Sequence, residues 1–414
     1  MIKYLFPKAY IKYLSLPVLG PILNNFSKFL FTIGYPYPVI RVHLRTTKII
    51  DFRLRKRKCK SVKMITRSIL QSCAPAPGHS QEDIESSATV KLLERYFDKI
   101  GILPSKKLLS PIENMIIEYQ SYLQKVRGFA PSTAHHHCVT VSQFLNQYNR
   151  RGGLSYLLKL APQDIENFVH DTGSRLNRGS LQHAVGHLRA FLHFLVTRGE
   201  VPVGLNIQID TPRIYREEQL PRSLDWKTVC TLLKSIDRTT AIGKRDYAML
   251  LLITTYGLRA SEIVALKLED IEWRKNRLRI FQLKNTTPLL LPLMDSIGES
   301  IIDYLRHGRP PTVFREIFVR HRAPSGILKP TAINEVFQYW TRRSGLNISF
   351  YGTHCLRHSY AVHLLRQGTP LKTIGDLLGH RNFESTCVYL RLNIEDLRTV
   401  PLPLPTSSIS IKGE

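Results

Sequence analysis

Apolar residues recur every three to four positions through the middle of the chain, which is the period of an amphipathic helix. One such helix begins at Ser110-Pro111, because serine can cap the first turn and proline fits the first helical position. The pattern places three further helix starts at Ser132 or Thr133, at Ala161-Pro162 and at Ser180. These four helices predict a compact helical domain.

The second half of the chain begins with two more helical stretches, at residues 226–236 and 245–256. A region of period two follows, in which Leu278 and Ile280 alternate with arginines, and an apolar run returns at residues 289–293 after a short polar turn. This alternation is typical of two paired strands. The sequence therefore predicts a mainly α fold with a small β-hairpin inside the second helical domain.

Two stretches have no clear period and predict linkers. Residues 72–90 are rich in Ser, Pro, Gly, Gln and Glu, and residues 211–223 are polar and bounded by prolines. The resulting domain prediction has five parts: an N-terminal extension with a basic segment and linker (1–90), a helical domain (91–210), a linker (211–223), a second domain (224–395) and a C-terminal tail (396–414).

The 414-residue chain carries 59 Lys and Arg against 32 Asp and Glu, a formal net charge of +27. A chain with this excess repels itself unless a polyanion is nearby, so the predicted partner is nucleic acid. Part of the charge lies in one run that predicts either a DNA-binding segment or a solvated basic surface: Arg53, Arg55, Lys56, Arg57, Lys58 and Lys60.

The spacing of charged residues disfavours a membrane-spanning helix, and the spacing of histidines and cysteines disfavours a metal site. Lys8, Lys12 and Lys28 interrupt the apolar N-terminal stretch before it reaches the roughly 18 residues of a spanning helix. His135-His136-His137 beside Cys138 predicts no metal site, because consecutive helical residues point about 100° apart. The six cysteines contain no C-x-x-C pair, which disfavours a zinc ribbon or a disulfide framework and predicts a reducing cytoplasm.

Candidate chemistry begins where the apolar helix of residues 245–256 ends. Gly257 breaks that helix, and Arg259 follows closely, so a turn can present its guanidinium. Lys284 lies at the predicted hairpin turn, where a flexible amine can reach a leaving group. Glu262 has two interpretations of equal weight: it holds a basic group of the site in place, or it forms an i,i+3 ion pair with a neighbouring arginine.

Two further segments, at the start of one predicted helix and at the end of another, contain candidate histidines. Thr353 is the predicted N-cap of a helix whose first turn holds His354, and Arg357 lies three residues later on the same face near the positive helix end. Gly379 ends a later helix and directs His380 outward. Histidine, arginine and lysine together suit an anionic phosphate. The additional His358 is interpreted as structural.

Six residues, in this order and at these spacings, resemble the tyrosine recombinase family of phage integrases and Xer-type site-specific recombinases: Arg259, Lys284, His354, Arg357, His380 in a Leu-Gly-His motif, and Tyr389 nine positions later. The resemblance covers about residues 110–395. It implies a helical, SAM-like core-binding domain that binds DNA, followed by an α+β catalytic domain. One departure is the hairpin turn, which lacks the glycine that often flanks the lysine of the family.

The resemblance implies that Tyr389 attacks a phosphate of double-stranded DNA, giving a 3′-phosphotyrosyl link and a free 5′-hydroxyl that later rejoins. No metal, ATP or other cofactor is implied. It also implies the remaining roles: Arg259, Arg357 and His380 stabilise the phosphate, Lys284 protonates the leaving oxygen, and His354 assists removal of the tyrosine proton. The implied biological role is integration, excision or transposition of a mobile element by a cytoplasmic enzyme, nucleoid-associated when bound to DNA.

Two other functions stay open at this point: a type IB topoisomerase and a catalytically silent DNA-binding accessory protein. The family also implies a homotetramer on two DNA sites. In that assembly the tail, through Leu397, Leu402 and Leu404, docks on a neighbouring subunit; the alternative is a frayed terminus.

Overall fold

The computed structural model describes residues 1–75, 80–103, 110–149, 157–207, 209–213, 222–282, 288–349, 352–380, 382 and 384–392. No helix within these ranges is long and apolar enough to cross a membrane. The chain divides into two compact units, one of residues Leu103–Gln219 and one that combines Met1–Ile102 with Leu220–Glu414. Lys284 and the tail with Leu397, Leu402 and Leu404 lie outside the described residues.

The first hundred residues are helical and have their own apolar core around Phe26, Leu44, Leu54 and Leu93. The buried carboxylate of Asp51 accepts hydrogen bonds from the backbone N–H groups of Val18 and Leu19, at 3.0 and 2.8 Å, which ties the preceding loop to the core. Six helices form this region: α1 (Ile2–Leu5), α2 (Tyr10–Leu14), α3 (Gly20–Thr32), α4 (Tyr37–Lys56), α5 (Arg67–Ser72) and α6 (Gln81–Lys99).

The linker predicted over residues 72–90 is wrong from Gln81 onward. The Ser80 hydroxyl caps α6 by accepting from the Asp83 N–H at 3.1 Å, and the helix buries Val90, Leu93 and Phe97. The turn residues thus cap a helix rather than bridge two domains. The first hundred residues also contact the C-terminal part of the chain, where the Ser325 N–H donates to the Ile33 carbonyl at 2.8 Å.

The unit Leu103–Gln219 contains the four predicted helices packed around buried aromatic rings, among them Tyr119, Phe144 and Phe191. The predicted helix starts at Ser132 or Thr133 and at Ser180 are slightly late: one helix begins at Pro131, and the Asn177 side chain caps the other. The helices are α7 (Pro111–Lys125), α8 (Pro131–Asn149), α9 (Pro162–Gly173) and α10 (Arg178–Thr197).

The region of residues 222–392 is built around α12, whose Met249, Leu250 and Ile253 are buried. The predicted hairpin is present and gains a short third strand, in the antiparallel order β1-β2-β3, with Leu278 paired to Ile271 and Leu291. Its elements are α11 (Trp226–Lys234), α12 (Ala241–Tyr256), α13 (Ala260–Ala265), β1 (Ile271–Glu272), β2 (Arg277–Ile280), β3 (Leu289–Pro292), α14 (Asp295–His307), α15 (Pro330–Ser344), α16 (His354–Arg366), α17 (Leu371–Leu378) and α18 (Glu384–Cys387).

Candidate active site

The first arginine of the site is presented by the turn between α12 and α13. Gly257 ends α12 with φ +64°, and a Cβ there would lie 2.5 Å from Leu378 and 2.8 Å from Tyr360, so both conformation and space require glycine. Arg259 then caps α13. Its backbone N–H and its Nη1 each donate to the Glu262 carboxylate at 2.8 Å. The arginine that Glu262 pairs with is thus Arg259.

Burial differs across this ion pair and leaves the arginine accessible. The Glu262 side chain is 2% exposed, whereas the Arg259 side chain is 37% exposed. The carboxylate therefore holds the guanidinium through Nη1 from inside the protein, while more than a third of the arginine side chain stays exposed.

Arg357 is the second arginine and is 2% exposed. Its Nη1 donates to the Gly257 carbonyl and its Nη2 to the Leu378 carbonyl at 2.6 Å, so it bridges the last residues of α12 and α17. Burial, followed by the nearby Arg259, lowers its pKa to about 10, which still leaves the guanidinium charged at neutral pH. It is a rigid, positively charged group in the interior of the site.

The start of α16 differs from the prediction in one respect. Thr353 stands at the N-cap, but its hydroxyl and its N–H both contact Asn334 Oδ1 of α15, at 2.8 and 3.0 Å, and do not cap the helix. The ring of His354 packs edge-on against His358 at 4.4 Å. Burial, then Arg357 and Arg259, lower the pKa of His354.

His380 follows Gly379, which ends α17 with φ +63° and leaves room for Gln282, 2.0 Å from where a Cβ would stand. His380 Nδ1 hydrogen-bonds the buried Thr386 hydroxyl at 2.9 Å, which fixes the orientation of the ring. Burial, then Arg357 and further cations, lower its pKa to about 4, so the ring is neutral at pH 7.

Tyr389 is 1% exposed and packs among Val362, Ile374 and Leu378. Its hydroxyl lies 3.1 Å from His358 Nδ1, and its ring is stacked 6.4 Å from the ring of His380. Burial raises its pKa, while the charges of Arg357 and Arg259 act in the opposite direction. The resting phenol is therefore protonated and needs a proton acceptor before it can attack.

The structure thus places five of the six predicted catalytic residues around one site, and Lys284 lies outside the described residues. His358, which the sequence interpretation treats as structural, is hydrogen-bonded to the Tyr389 hydroxyl. The spacing of four residues places His358 on the same helix face as His354, but it does not reveal the contact with Tyr389.

The basic segment near the N-terminus is partly used within the protein. Arg53 and Arg57 donate to the carbonyls of Cys73 and Ser72 at the end of α5. Arg55 pairs with Asp51 at 3.2 Å. Lys56 lies over the Phe52 ring at 4.9 Å, and Lys58 and Lys60 are exposed.

Sequence reasoning missed a neighbouring basic surface, which we call the α4 face. It consists of Arg41, Arg45 and Lys48, which lie four and three residues apart on the solvent side of α4. In the part of the chain that the structure describes, none of the three forms an ion pair.

The triple histidine has a role inside the helical unit. His137 hydrogen-bonds the Tyr119 hydroxyl at 3.1 Å, and its ring packs at a tilt against that of His187, 4.1 Å between centroids. Over the described ranges, no group of three or more His, Cys, Asp or Glu residues is placed to hold a metal ion.

Family models match both units of the chain: the phage integrase family over residues 222–396 and the phage integrase N-terminal SAM-like domain over residues 116–199. The putative integrase/recombinase y4rA of Sinorhizobium fredii is 34% identical over 72% of this chain and 72% of its own length. This chain belongs to the phage integrase family of tyrosine recombinases. The tyrosine recombinase XerD of Listeria monocytogenes is 26% identical to this recombinase over 70% of this chain and 97% of its own length.

Solved structures agree with the fold of this recombinase. XerH bound to difH substrate gives a TM-score of 0.50 at 15% identity, covering 72% of this chain and 99% of XerH. A lambda integrase tetramer bound to a Holliday junction gives a TM-score of 0.51 at 16% identity, covering 76% of this chain and 88% of the lambda integrase chain. The predicted family and fold class are confirmed. Function follows from the family: the protein is a DNA strand-cleaving and rejoining enzyme of site-specific recombination.

Proposed function

We propose that this recombinase cuts one DNA strand with Tyr389 as the nucleophile, forming a 3′-phosphotyrosyl link and releasing a 5′-hydroxyl. The observation that carries this proposal is the arrangement of Arg357, Arg259 and His380 around the tyrosine. The link conserves the energy of the broken phosphodiester, so a second 5′-hydroxyl can reverse it and rejoin the strand without ATP.

Charge stabilisation comes from the two arginines. Negative charge grows on the non-bridging oxygens as the tyrosine attacks, and guanidiniums that are already fixed in place stabilise it without reorganising. Arg357 is held by two backbone carbonyls and Arg259 by Glu262. Glu262 is thus a positioning residue, and two fixed cations take the place of a metal ion.

The histidines and the lysine act on individual atoms. A Thr386 hydroxyl that donates to Nδ1 of His380 leaves the ring proton on Nε2, where it can donate to a non-bridging oxygen. Lys284 protonates the leaving 5′-oxygen. His354 contacts the ring of His358, which bonds Tyr389, and therefore acts on the nucleophile only through His358.

The partner of this site is double-stranded DNA, and the working assembly is a homotetramer on two DNA sites. Support comes from similar chains: XerH is bound to its difH substrate, and the lambda integrase tetramer to a Holliday junction. The helical unit is the core-binding domain, residues 222–396 carry the catalysis, and the enzyme moves or integrates a mobile element in a nucleoid-bound state.

The N-terminal region adds a separate DNA contact. Residues 1–81 hold 15 Lys and Arg but a single acidic residue, Asp51, whose side chain is fully buried. The α4 face of Arg41, Arg45 and Lys48 presents three of these charges on one side of a helix, which suits a row of phosphates. Arg53 and Arg57 contribute less, because they hold the end of α5.

The proposal is tested with a pool of nicked random-sequence duplexes incubated with full-length protein in EDTA. Attack beside a nick releases a short strand, so the covalent adduct cannot rejoin and accumulates. We expect a DNA-linked peptide that contains Tyr389, and sequencing of the trapped DNA gives the recombination site. Adduct on another residue, or adduct that forms only when a divalent metal is added, contradicts the proposal.

A further inference from the structure

His358 lies one helical turn after His354 on α16, and its ring contacts the nucleophile directly. Nδ1 is 3.1 Å from the Tyr389 hydroxyl oxygen, and the two rings meet edge-on at 5.5 Å between centroids. We propose that His358 is a catalytic residue that takes the proton from Tyr389 during cleavage and returns it during rejoining. This inference rests on the proposed role of Tyr389 as the nucleophile.

Geometry favours His358 over the other two histidines of the site. The Nδ1 of His380 is hydrogen-bonded to the Thr386 hydroxyl, and the His380 ring lies nearly parallel to the Tyr389 ring, 6.4 Å between centroids. His354 contacts the ring of His358. Among the side chains that the structure describes, the one that hydrogen-bonds the Tyr389 hydroxyl is His358.

The protonation state also suits a proton acceptor. Burial, then His354, Arg357 and His380, lower the pKa of His358 to about 4, so its ring is neutral at pH 7. In the tautomer with the proton on Nε2, the lone pair of Nδ1 faces the phenol, which then donates the hydrogen bond. An incoming phosphate adds negative charge, which opposes the lowering of this pKa and makes the ring a better base.

Each proton in this step has a donor and an acceptor. The Tyr389 proton moves to His358 Nδ1 as the tyrosine oxygen forms its bond to phosphorus. The bond from phosphorus to the 5′-oxygen breaks, and that oxygen takes a proton from Lys284. Rejoining reverses each transfer, so the imidazolium of His358 protonates the leaving tyrosine oxygen.

The reverse direction allows a test that separates proton transfer from structure. In a protein that carries Tyr389→Phe, so that the tyrosine cannot attack the ester itself, a strand that ends in a 3′-p-nitrophenyl phosphate can be joined to a 5′-hydroxyl strand, and its leaving group departs as a stable anion that needs no proton. This reaction uses the phosphate-binding residues but has no use for the proton of His358. Rejoining from the Tyr389 link needs both the phosphate-binding residues and the proton of His358.

The test compares His358→Asn with the control His363→Asn on the same helix. Asparagine can keep a hydrogen bond near the position of Nδ1, but it cannot take a proton. We expect His358→Asn to slow both cleavage and rejoining of the tyrosyl link by about 10²- to 10⁴-fold. Joining of the nitrophenyl strand, measured with Tyr389→Phe in every protein compared, should stay within about threefold of the rate of Tyr389→Phe alone, and the His363→Asn control should show no loss in any assay.

Each other result contradicts the inference. Equal losses on the tyrosyl and nitrophenyl substrates mean that His358 supports folding or phosphate binding, and wild-type cleavage by His358→Asn means that it is not used. Failure of the nucleophile proposal is visible separately, because the adduct of the unmodified protein would then map to a residue other than Tyr389.

Discussion

Arg357 on α16 donates a hydrogen bond to the carbonyl oxygen of Gly257, a residue 100 positions earlier that ends α12 in a left-handed conformation. Its other terminal nitrogen donates to the carbonyl of Leu378 at the end of α17. One buried guanidinium therefore links two helix ends, each of which is followed by a residue of the site, Arg259 or His380. The positive charge of the candidate site and the local architecture depend on the same side chain.

Arg357→Lys is expected to lower the cleavage rate by about 10²- to 10³-fold, because a single ammonium cannot contact both carbonyls and a phosphate. The measurement is single-turnover cleavage of the nicked duplex on which the covalent adduct accumulates, with DNA affinity measured in parallel. Arg366→Lys, on the exposed end of the same helix, is the control and should leave the rate unchanged. Equal rates for the two variants would mean that Arg357 serves packing alone.

Gly257→Ala should both destabilise and inactivate the enzyme, since a Cβ would stand 2.5 Å from Leu378. Gly345→Ala is the matched control: Gly345 has a similar φ of +69° but nothing within 4 Å of the added atom. We expect the free energy of unfolding to fall by about 1–3 kcal/mol more for Gly257→Ala than for the control. Equal losses in denaturant unfolding would show that the approach of Leu378 does not matter.

The helical unit should lose stability in mild acid because of His187. Burial and neighbouring histidines lower its folded pKa to about 4 from the ordinary 6.5, so the unfolded chain binds the proton more readily. The stabilisation is complete above pH 6.5, is lost as the pH falls toward 4, and amounts to at most about 3 kcal/mol.

His187→Asn removes this titrating group and should make the fall in stability between pH 6.5 and 4 shallower. His193→Asn, at an exposed position of the same helix, should leave the profile as steep as in the unmodified protein. Thermal unfolding followed across this pH range provides the measurement. An unchanged slope in His187→Asn contradicts the prediction.

Neutralising the α4 face should weaken DNA binding through counterion release. A variant with Arg41, Arg45 and Lys48 all changed to Gln should show a shallower dependence of log affinity on log salt, by about 0.9 for each phosphate that the protein no longer neutralises. The control changes Lys8, Lys12 and Lys63 to Gln, which removes the same charge from other exposed positions. Similar slopes in both variants would mean that only total charge matters. Cleavage at saturating DNA should be unaffected in both.

Local spacing made much of the site predictable. Gly257 and Gly379 end their helices where the sequence predicts, because a helix end in a left-handed conformation is a local property of glycine. The contact of His358 with Tyr389 spans 31 positions and depends on how α16 packs, so no local pattern could reveal it. Charge alone likewise did not show that the Arg53 guanidinium is occupied by a backbone carbonyl.

The helix α6 illustrates a different limit. Its first residues are rich in Ser, Gln and Glu, a composition shared by linkers and by capped helix starts. Only burial of Val90, Leu93 and Phe97 against the N-terminal core decides between the two. Tertiary packing, which the sequence pattern does not display, settled the structure of this segment.

The central claim is that the hydroxyl oxygen of Tyr389 is the atom that attacks DNA, and Tyr389→Phe tests it most directly. The change removes one oxygen from a fully packed ring, so folding and DNA affinity should match the control Tyr339→Phe, which alters an exposed tyrosine. On the trapped nicked duplex we expect no covalent adduct from Tyr389→Phe and full adduct from the control. Adduct formation by Tyr389→Phe at the rate of the unmodified enzyme would contradict the claim.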